Sequence, residues 1–88
     1  MRSFNFSNNE VSPITVWLEP WAHDFTVRPK ETLQITTTQN LDLDLDISRS
    51  KNDLIIYVES KHRFDSFDIT IDEKSVACGY QRELNENT

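Results

Sequence analysis

Three aspartates at alternate positions, Asp42, Asp44 and Asp46, form the densest group of chemically active side chains in the sequence. Alternate residues of a β-strand point to one face, roughly 6.5–7 Å apart, so the three carboxylates would form an acidic ridge. The same D-x-D-x-D spacing opens an EF-hand calcium loop, and Asp53 stands at the twelfth position of such a loop. That loop requires glycine at its sixth position, where this chain has Ile47. The acidic ridge is therefore predicted not to bind calcium.

Two interpretations of the acidic ridge remain open. It is either a solvated strand face or a binding surface for lysine and arginine side chains of a partner. Neighbouring like charges repel one another, and a row that carries this cost is more readily explained if it serves as a binding surface. The predicted partner-binding surface contains the ridge, two further carboxylates and two aromatic anchors: Asp42, Asp44, Asp46, Asp65, Asp68, Trp17 and Tyr57.

The residues that commonly carry catalysis are few and scattered. His23 and His62 stand at no metal-ligand spacing from another good ligand. Cys78 alternates with Val76 and Tyr80, which predicts an inward, inert thiol in a strand. The chain also lacks a serine nucleophile elbow, a phosphate loop and a dinucleotide fingerprint. We therefore expect no catalytic site, no metal and no cofactor, and a protein that is not an enzyme.

The elements that position these residues are strands, because the dominant hydrophobic period is two. From Ile14 to Glu19, the aliphatic residues Ile14, Val16 and Leu18 fall on one strand face and Thr15, Trp17 and Glu19 on the other. From Leu41 to Ile47, apolar residues alternate strictly with aspartates. The run Leu54–Glu59 is apolar on both faces and predicts a central strand. Shorter alternating segments lie at 2–7, 25–27, 33–38, 67–71 and 76–80, with a hairpin turn predicted within 72–75. The pattern predicts an all-β fold, an antiparallel sandwich or small barrel of about eight short strands, with no helix longer than two turns.

Length and charge limit the classes of function. The chain has 88 residues, enough for one domain over 1–80, with a polar tail at 81–88 that is expected to fray. The formal net charge of −6 argues against direct binding to nucleic acid or anionic membranes and permits a basic partner. A single cysteine forms no internal disulfide, and no segment has the apolar run of a signal peptide or a membrane span. These features predict a cytoplasmic protein.

One segment resembles a pattern found in short, uncharacterised bacterial proteins. In ITVWLEPWAHDFTVRPKETLQI, residues 14–35, the motif W-L-E-P-W is followed by a strand and then by P-x-E-T-L. The resemblance covers about a quarter of the chain and implies no catalytic residue. Lys30 departs from the pattern, because glycine is expected at that position of the proline turn.

The chain is similar in kind to bacterial immunity proteins, which are small, acidic, cytoplasmic and poor in cysteine. That likeness implies a protein that neutralises a basic nuclease toxin, for example a ribonuclease, by placing carboxylates where phosphates would bind. One alternative is a small-molecule-binding barrel or cupin-like protein, with inward polar residues such as His23 or His62. Another is a homodimeric structural module that uses an exposed strand edge.

Overall fold

The chain folds into two four-stranded β-sheets, as the period-two pattern predicts. The computed structural model describes residues 3–37, 45–58 and 67–86. The eight strands are β1 (Ser3–Ser7), β2 (Ile14–Glu19), β3 (His23–Val27), β4 (Thr32–Thr37), β5 (Leu45–Arg49), β6 (Asp53–Val58), β7 (Phe67–Ile71) and β8 (Lys74–Ser75). Within the described part of the chain, the only helix is α1, the single turn Glu83–Glu86. It is too short and polar to cross a bilayer, and no described helix could do so.

Sheet 1 has the strand order β1-β4-β7-β8 and is antiparallel throughout. Sheet 2 has the order β3-β2-β6-β5, and its central pair β2 and β6 is parallel. The predicted all-β sandwich is confirmed, and this one pair departs from the antiparallel pairing expected of it. The central position predicted for the run Leu54–Glu59 is confirmed, because β6 lies between β2 and β5.

The core lies between the inner faces of the two sheets. Along β4 the odd-numbered residues are buried and the even-numbered ones are half-exposed, which is the alternation expected of a strand with one solvated face. The two sheets contribute thirteen buried hydrophobic residues to one cluster: Ile14, Val16, Leu18, Phe25, Val27, Leu33, Ile35, Leu54, Ile56, Val58, Phe67, Ile69 and Ile71. At one end of this core Trp21 packs against Phe67, with ring centroids 5.9 Å apart.

The turns use left-handed backbone at non-glycine residues. Asp72 and Glu73 have φ angles of 50° and 69° and join β7 to β8 in the predicted hairpin. This pair of positive φ angles is typical of a two-residue type I′ turn. Lys30 has a φ of 73° in the turn Arg28–Glu31, which is closed by a hydrogen bond from the Glu31 amide to the Arg28 carbonyl. Proline before a positive φ is the arrangement of a type II turn, so this position favours glycine.

The buried side chain of Asn8 holds the segment between β1 and β2. Its amide nitrogen donates to the carbonyls of Val27 and Ser12, and its oxygen accepts from the Glu10 amide. Its own backbone pairs with the turn that precedes β4, through Glu31 and Lys30. Asn8 therefore joins three separate segments of the chain.

The segment after β8 packs along β3 instead of continuing as a strand. The Gly79 amide donates to the Asp24 carbonyl and the Thr26 amide donates to the Tyr80 carbonyl. A turn closed by the Tyr80 amide and the Ala77 carbonyl places Cys78 at the surface, so its predicted inward position in a strand is wrong. Its thiol lies 3.7 Å from Asp24 Oδ1.

The beginning of the tail is also held in place, where fraying was expected. Gln81 Nε2 donates to the Thr26 carbonyl and to Glu31 Oε1. Arg82 forms an ion pair with Asp24. Residues 81 and 82 are therefore part of the folded domain.

Candidate partner-binding face

The outer face of sheet 2 brings together side chains from three neighbouring strands. Trp17 of β2 is paired with Ile55 of β6, which is one row of the sheet. In the next row along the strands, Glu19 of β2 is paired with Tyr57 of β6, and Tyr57 with Asp46 of β5. We refer to these five residues, Trp17, Glu19, Asp46, Ile55 and Tyr57, as the aromatic face.

The apolar members of the aromatic face are in contact with solvent. Ile55 is 39% exposed and Tyr57 is 48% exposed, although both belong to a central strand. Trp17 is half-buried, and its indole nitrogen donates to Asp53 Oδ1 at 3.2 Å. Because the opposite face of β6 already supplies core residues, these side chains form a second apolar surface that the core does not use.

A shallow depression lies within this face. Its volume is about 240 Å³, and its lining residues are Trp17, Glu19 and Ile55. An indole, an aliphatic side chain and a carboxylate thus meet at one place on the surface. Small-molecule sites usually occupy about 300–1,000 Å³, so the depression fits a single side chain better than a free ligand.

Carboxylates lie on both sides of the apolar residues, and they differ in burial and in whether a cation of the domain pairs with them. Asp46 is exposed, and Glu19 is half-buried. Asp24, which is paired with Trp17 on the other side of β2, is buried and ion-paired. The hydrogen bond from Arg82 lowers the pKa of the Asp24 carboxyl, although burial opposes ionisation. Asp24 therefore holds the tail against β3, whereas Glu19, Asp46 and Asp53 are partly or fully exposed on this face.

A second internal carboxylate fixes the turn before β4. Glu31 is buried, which disfavours its charged form, but hydrogen bonds from the Arg28 amide, Gln81 and the Arg28 guanidinium outweigh this and lower its pKa. The ion pair between Arg28 and Glu31 spans 3.2 Å. The role of Glu31 is structural, because its oxygens accept from groups of the domain itself.

The structure groups some of the predicted binding residues and separates others. Trp17, Tyr57 and Asp46 lie on the aromatic face. Asp68 is exposed on β7, so it belongs to the outer face of sheet 1, on the opposite side of the sandwich. Other positions singled out in the sequence, Asp42, Asp44, Asp65 and His62, lie outside the described residues.

Sequence reasoning missed two members of the aromatic face, Glu19 and Ile55. Glu19 shares a strand face with Trp17 because the two are two residues apart in β2, and this spacing was visible in the sequence. Ile55 was recognised only as part of a central strand. Its proximity to Trp17 depends on the parallel register of β2 and β6, which no local pattern encodes.

The outer face of sheet 1 differs in chemistry. One row across three strands consists of Asn5, Gln34 and Thr70, which with Thr32, Asp72 and Glu73 line a groove of about 470 Å³. These side chains are hydroxyls, amides and carboxylates, without an aromatic or aliphatic residue. The groove is larger than the depression at Trp17, but its lining has no aromatic or branched aliphatic side chain that could anchor a protein partner.

Residues 3–37, 45–58 and 67–86 contain no group of three histidine, cysteine or carboxylate side chains that could hold a metal ion. Comparison of the chain with protein-family models, curated proteins and solved structures finds no match.

Proposed function

We propose that this chain is a non-catalytic binding protein that docks a basic protein through the aromatic face. The observation that carries the proposal is the solvent exposure of Ile55 and Tyr57 beside Trp17, with Glu19 and Asp46 adjoining them. Protein interfaces are enriched in tyrosine and tryptophan at their centres and carry polar groups at their rims. The aromatic face has this composition.

Charge supports a basic partner. The chain carries a formal net charge of −6, and the solvent-facing carboxylates adjoin the apolar residues. Complementary charge accelerates association and excludes acidic competitors. Asp42 and Asp44 precede β5 in the sequence and add two further carboxylates close to Asp46 along the chain.

In its most concrete form, the proposal is an immunity protein that blocks a basic nuclease toxin, for example a ribonuclease. Carboxylates on the aromatic face would occupy the phosphate-binding positions of the nuclease, while Trp17 and Tyr57 exclude water from the contact. A cytoplasmic location belongs to this proposal, and the single cysteine is compatible with it.

The test uses the proteins encoded next to this chain in its genome. Each basic neighbour is purified and titrated with this protein by calorimetry, and its cleavage of RNA or DNA is assayed. We expect one neighbour to bind at 1:1 stoichiometry and to lose nuclease activity when saturated. The variant with both Trp17→Ala and Tyr57→Ala should bind at least about tenfold more weakly, since each anchor contributes more than about 1 kcal/mol.

Asp68→Asn is the control, because it removes one exposed carboxylate from the opposite sheet. It should retain the affinity of the parent protein. The proposal fails if no basic neighbour binds, or if the control weakens binding as much as the double variant does.

A further inference from the structure

We infer that the depression lined by Trp17, Glu19 and Ile55 is a receptor for one arginine side chain of the partner. The inference deepens the proposed function and rests on it for the identity of the ligand as part of a basic protein. It adds a residue, Glu19, and a chemical specificity, arginine over lysine, that the general proposal does not require.

The lining supplies the three contacts that an arginine side chain can make at once. The Trp17 indole offers an aromatic face on which a guanidinium can stack. The Glu19 carboxylate offers two acceptor oxygens for a forked hydrogen bond. Ile55 offers an aliphatic surface against which the methylene stem can pack. All three lining residues lie on neighbouring strands β2 and β6.

The site is held by the sheet, which limits the reorganisation that binding requires. Trp17 and Ile55 are register partners in the centre of sheet 2, and the Trp17 indole nitrogen is bonded to Asp53. Glu19 is the last residue of β2, two positions from Trp17 on the same strand face. Preorganised contacts of this kind lose less conformational entropy on binding than contacts made from loops.

Size and charge select one cationic side chain. The volume of about 240 Å³ lies below the usual range for small-molecule sites. The lining contains one carboxylate and no cation, so a positive group is favoured. Lysine is the weaker candidate because its ammonium is compact and strongly hydrated, whereas a guanidinium is planar, stacks on aromatic rings and pairs with both oxygens of a carboxylate.

The test uses two peptides of equal charge, hexa-arginine and hexa-lysine, titrated into the full-length protein at constant salt. We expect hexa-arginine to bind about threefold or more tightly, the factor that a single stacked cation contributes. In a nitrogen–proton NMR spectrum, the Trp17 indole signal should shift with hexa-arginine, while the Trp21 indole signal serves as the internal reference.

Two variants locate this preference. Glu19→Gln should bring the ratio of the two affinities close to one, because it removes the charge and keeps the shape of the side chain. Trp17→Leu should do the same by removing the ring. Asp68→Asn makes the charge change of Glu19→Gln on the other sheet, so it should weaken both peptides equally and preserve the ratio.

The inference is overturned if wild-type protein binds the two peptides equally or binds neither, or if Asp68→Asn abolishes the preference as Glu19→Gln does. Its failure can be separated from failure of the proposed function. If a basic partner binds through Tyr57 and Asp46 and its affinity is unchanged by Glu19→Gln, the proposed function is supported and the arginine receptor is refuted. If the arginine preference depends on Glu19 but no basic neighbour binds, the arginine receptor is supported and the proposed function is refuted.

Discussion

The guanidinium of Arg82 closes on the buried carboxylate of Asp24 through two hydrogen bonds, Nε to Oδ2 at 3.0 Å and Nη2 to Oδ1 at 2.6 Å. The two residues are 58 positions apart. This pair, together with the hydrogen bond from Gln81 to the Thr26 carbonyl, attaches the C-terminal segment to β3 of sheet 2. The segment therefore stabilises the edge of β3, which lies beside the aromatic face.

Removing the cation of this pair should destabilise the domain. Arg82→Gln leaves the Asp24 carboxylate buried without its charge partner, at a cost of about 1–3 kcal/mol, limited by the half-exposed position of Arg82. Arg82→Lys keeps the positive charge but loses the paired guanidinium–carboxylate hydrogen bonds, so its stability should lie between those of the parent protein and Arg82→Gln. Urea denaturation measures the difference, and faster hydrogen exchange at the Gly79 and Thr26 amides would locate it. Lys74→Gln, which removes an exposed cation, should change stability by less than about 0.5 kcal/mol.

Acid should release the same contacts. The pKa values of Asp24 and Glu31 are lowered from their ordinary values of 3.8 and 4.5. A carboxyl whose folded pKa is lowered stabilises the fold above its unfolded pKa, and this contribution is lost as the pH falls through the folded value. Stability should therefore be constant above about pH 5 and fall below about pH 4. The double variant with Asp24→Asn and Glu31→Gln should be less stable at neutral pH, with a shallower acid slope. An unchanged slope in urea titrations at several pH values would contradict this assignment.

Glycine at position 30, in the turn before β4, should raise the stability of the domain. Lys30 is exposed and has a φ of 73°, a conformation that costs an L-residue about 1–2 kcal/mol. Glycine avoids that cost but loses more entropy on folding, so Lys30→Gly should raise the free energy of unfolding by about 0.5–1 kcal/mol. Lys30→Val should lower it, because β-branched residues tolerate positive φ poorly. Melting temperatures that decrease from the glycine variant to the lysine parent to the valine variant would support the turn assignment, and the reverse order would refute it.

The buried amide of Asn8 gives a prediction about hydrogen bonding. Asn8→Ala removes three side-chain hydrogen bonds and should cost about 2–4 kcal/mol. Asn8→Asp should cost more, because an ionised oxygen would face the carbonyls of Val27 and Ser12. Asn9→Ala, one residue further in an exposed position, is the matched control. If denaturant midpoints for Asn8→Ala and Asn9→Ala agree, the segment before β2 does not depend on this amide.

Local patterns in the sequence account for most of the strands and for the faces of their side chains. Alternation placed Trp17 opposite the core face of β2, and the apolar run of β6 indicated its central position. The features that were missed depend on contacts between distant parts of the chain. Nothing local specifies that β2 and β6 run parallel or that Arg82 meets Asp24. Cys78 was placed in a strand because its alternation was extended past Ser75, where β8 ends and a turn begins.

The last prediction separates a binding function of the acidic residues from simple solvation. Asp46 is exposed beside Tyr57, at the β5 side of the aromatic face. Replacing Asp42, Asp44 and Asp46 together by asparagine removes three charges while nearly preserving size. Stability should change little or rise slightly, because neighbouring like charges repel one another. Association with the basic partner should slow and lose much of its dependence on salt, because long-range attraction is reduced.

Single variants then show which sheet carries the carboxylates that contribute to binding. Asp46→Asn alone should weaken binding and reduce its salt dependence, whereas Asp68→Asn should leave both nearly unchanged, because Asp68 lies on the opposite side of the sandwich. Dissociation should also quicken in Asp46→Asn if that carboxylate is buried against a cation of the partner, at a cost of about 2–5 kcal/mol. Association and dissociation rates at two salt concentrations measure each part. If the triple variant binds as tightly as the parent at both concentrations, the row is a solvated strand face, and recognition depends on Trp17 and Tyr57 without it.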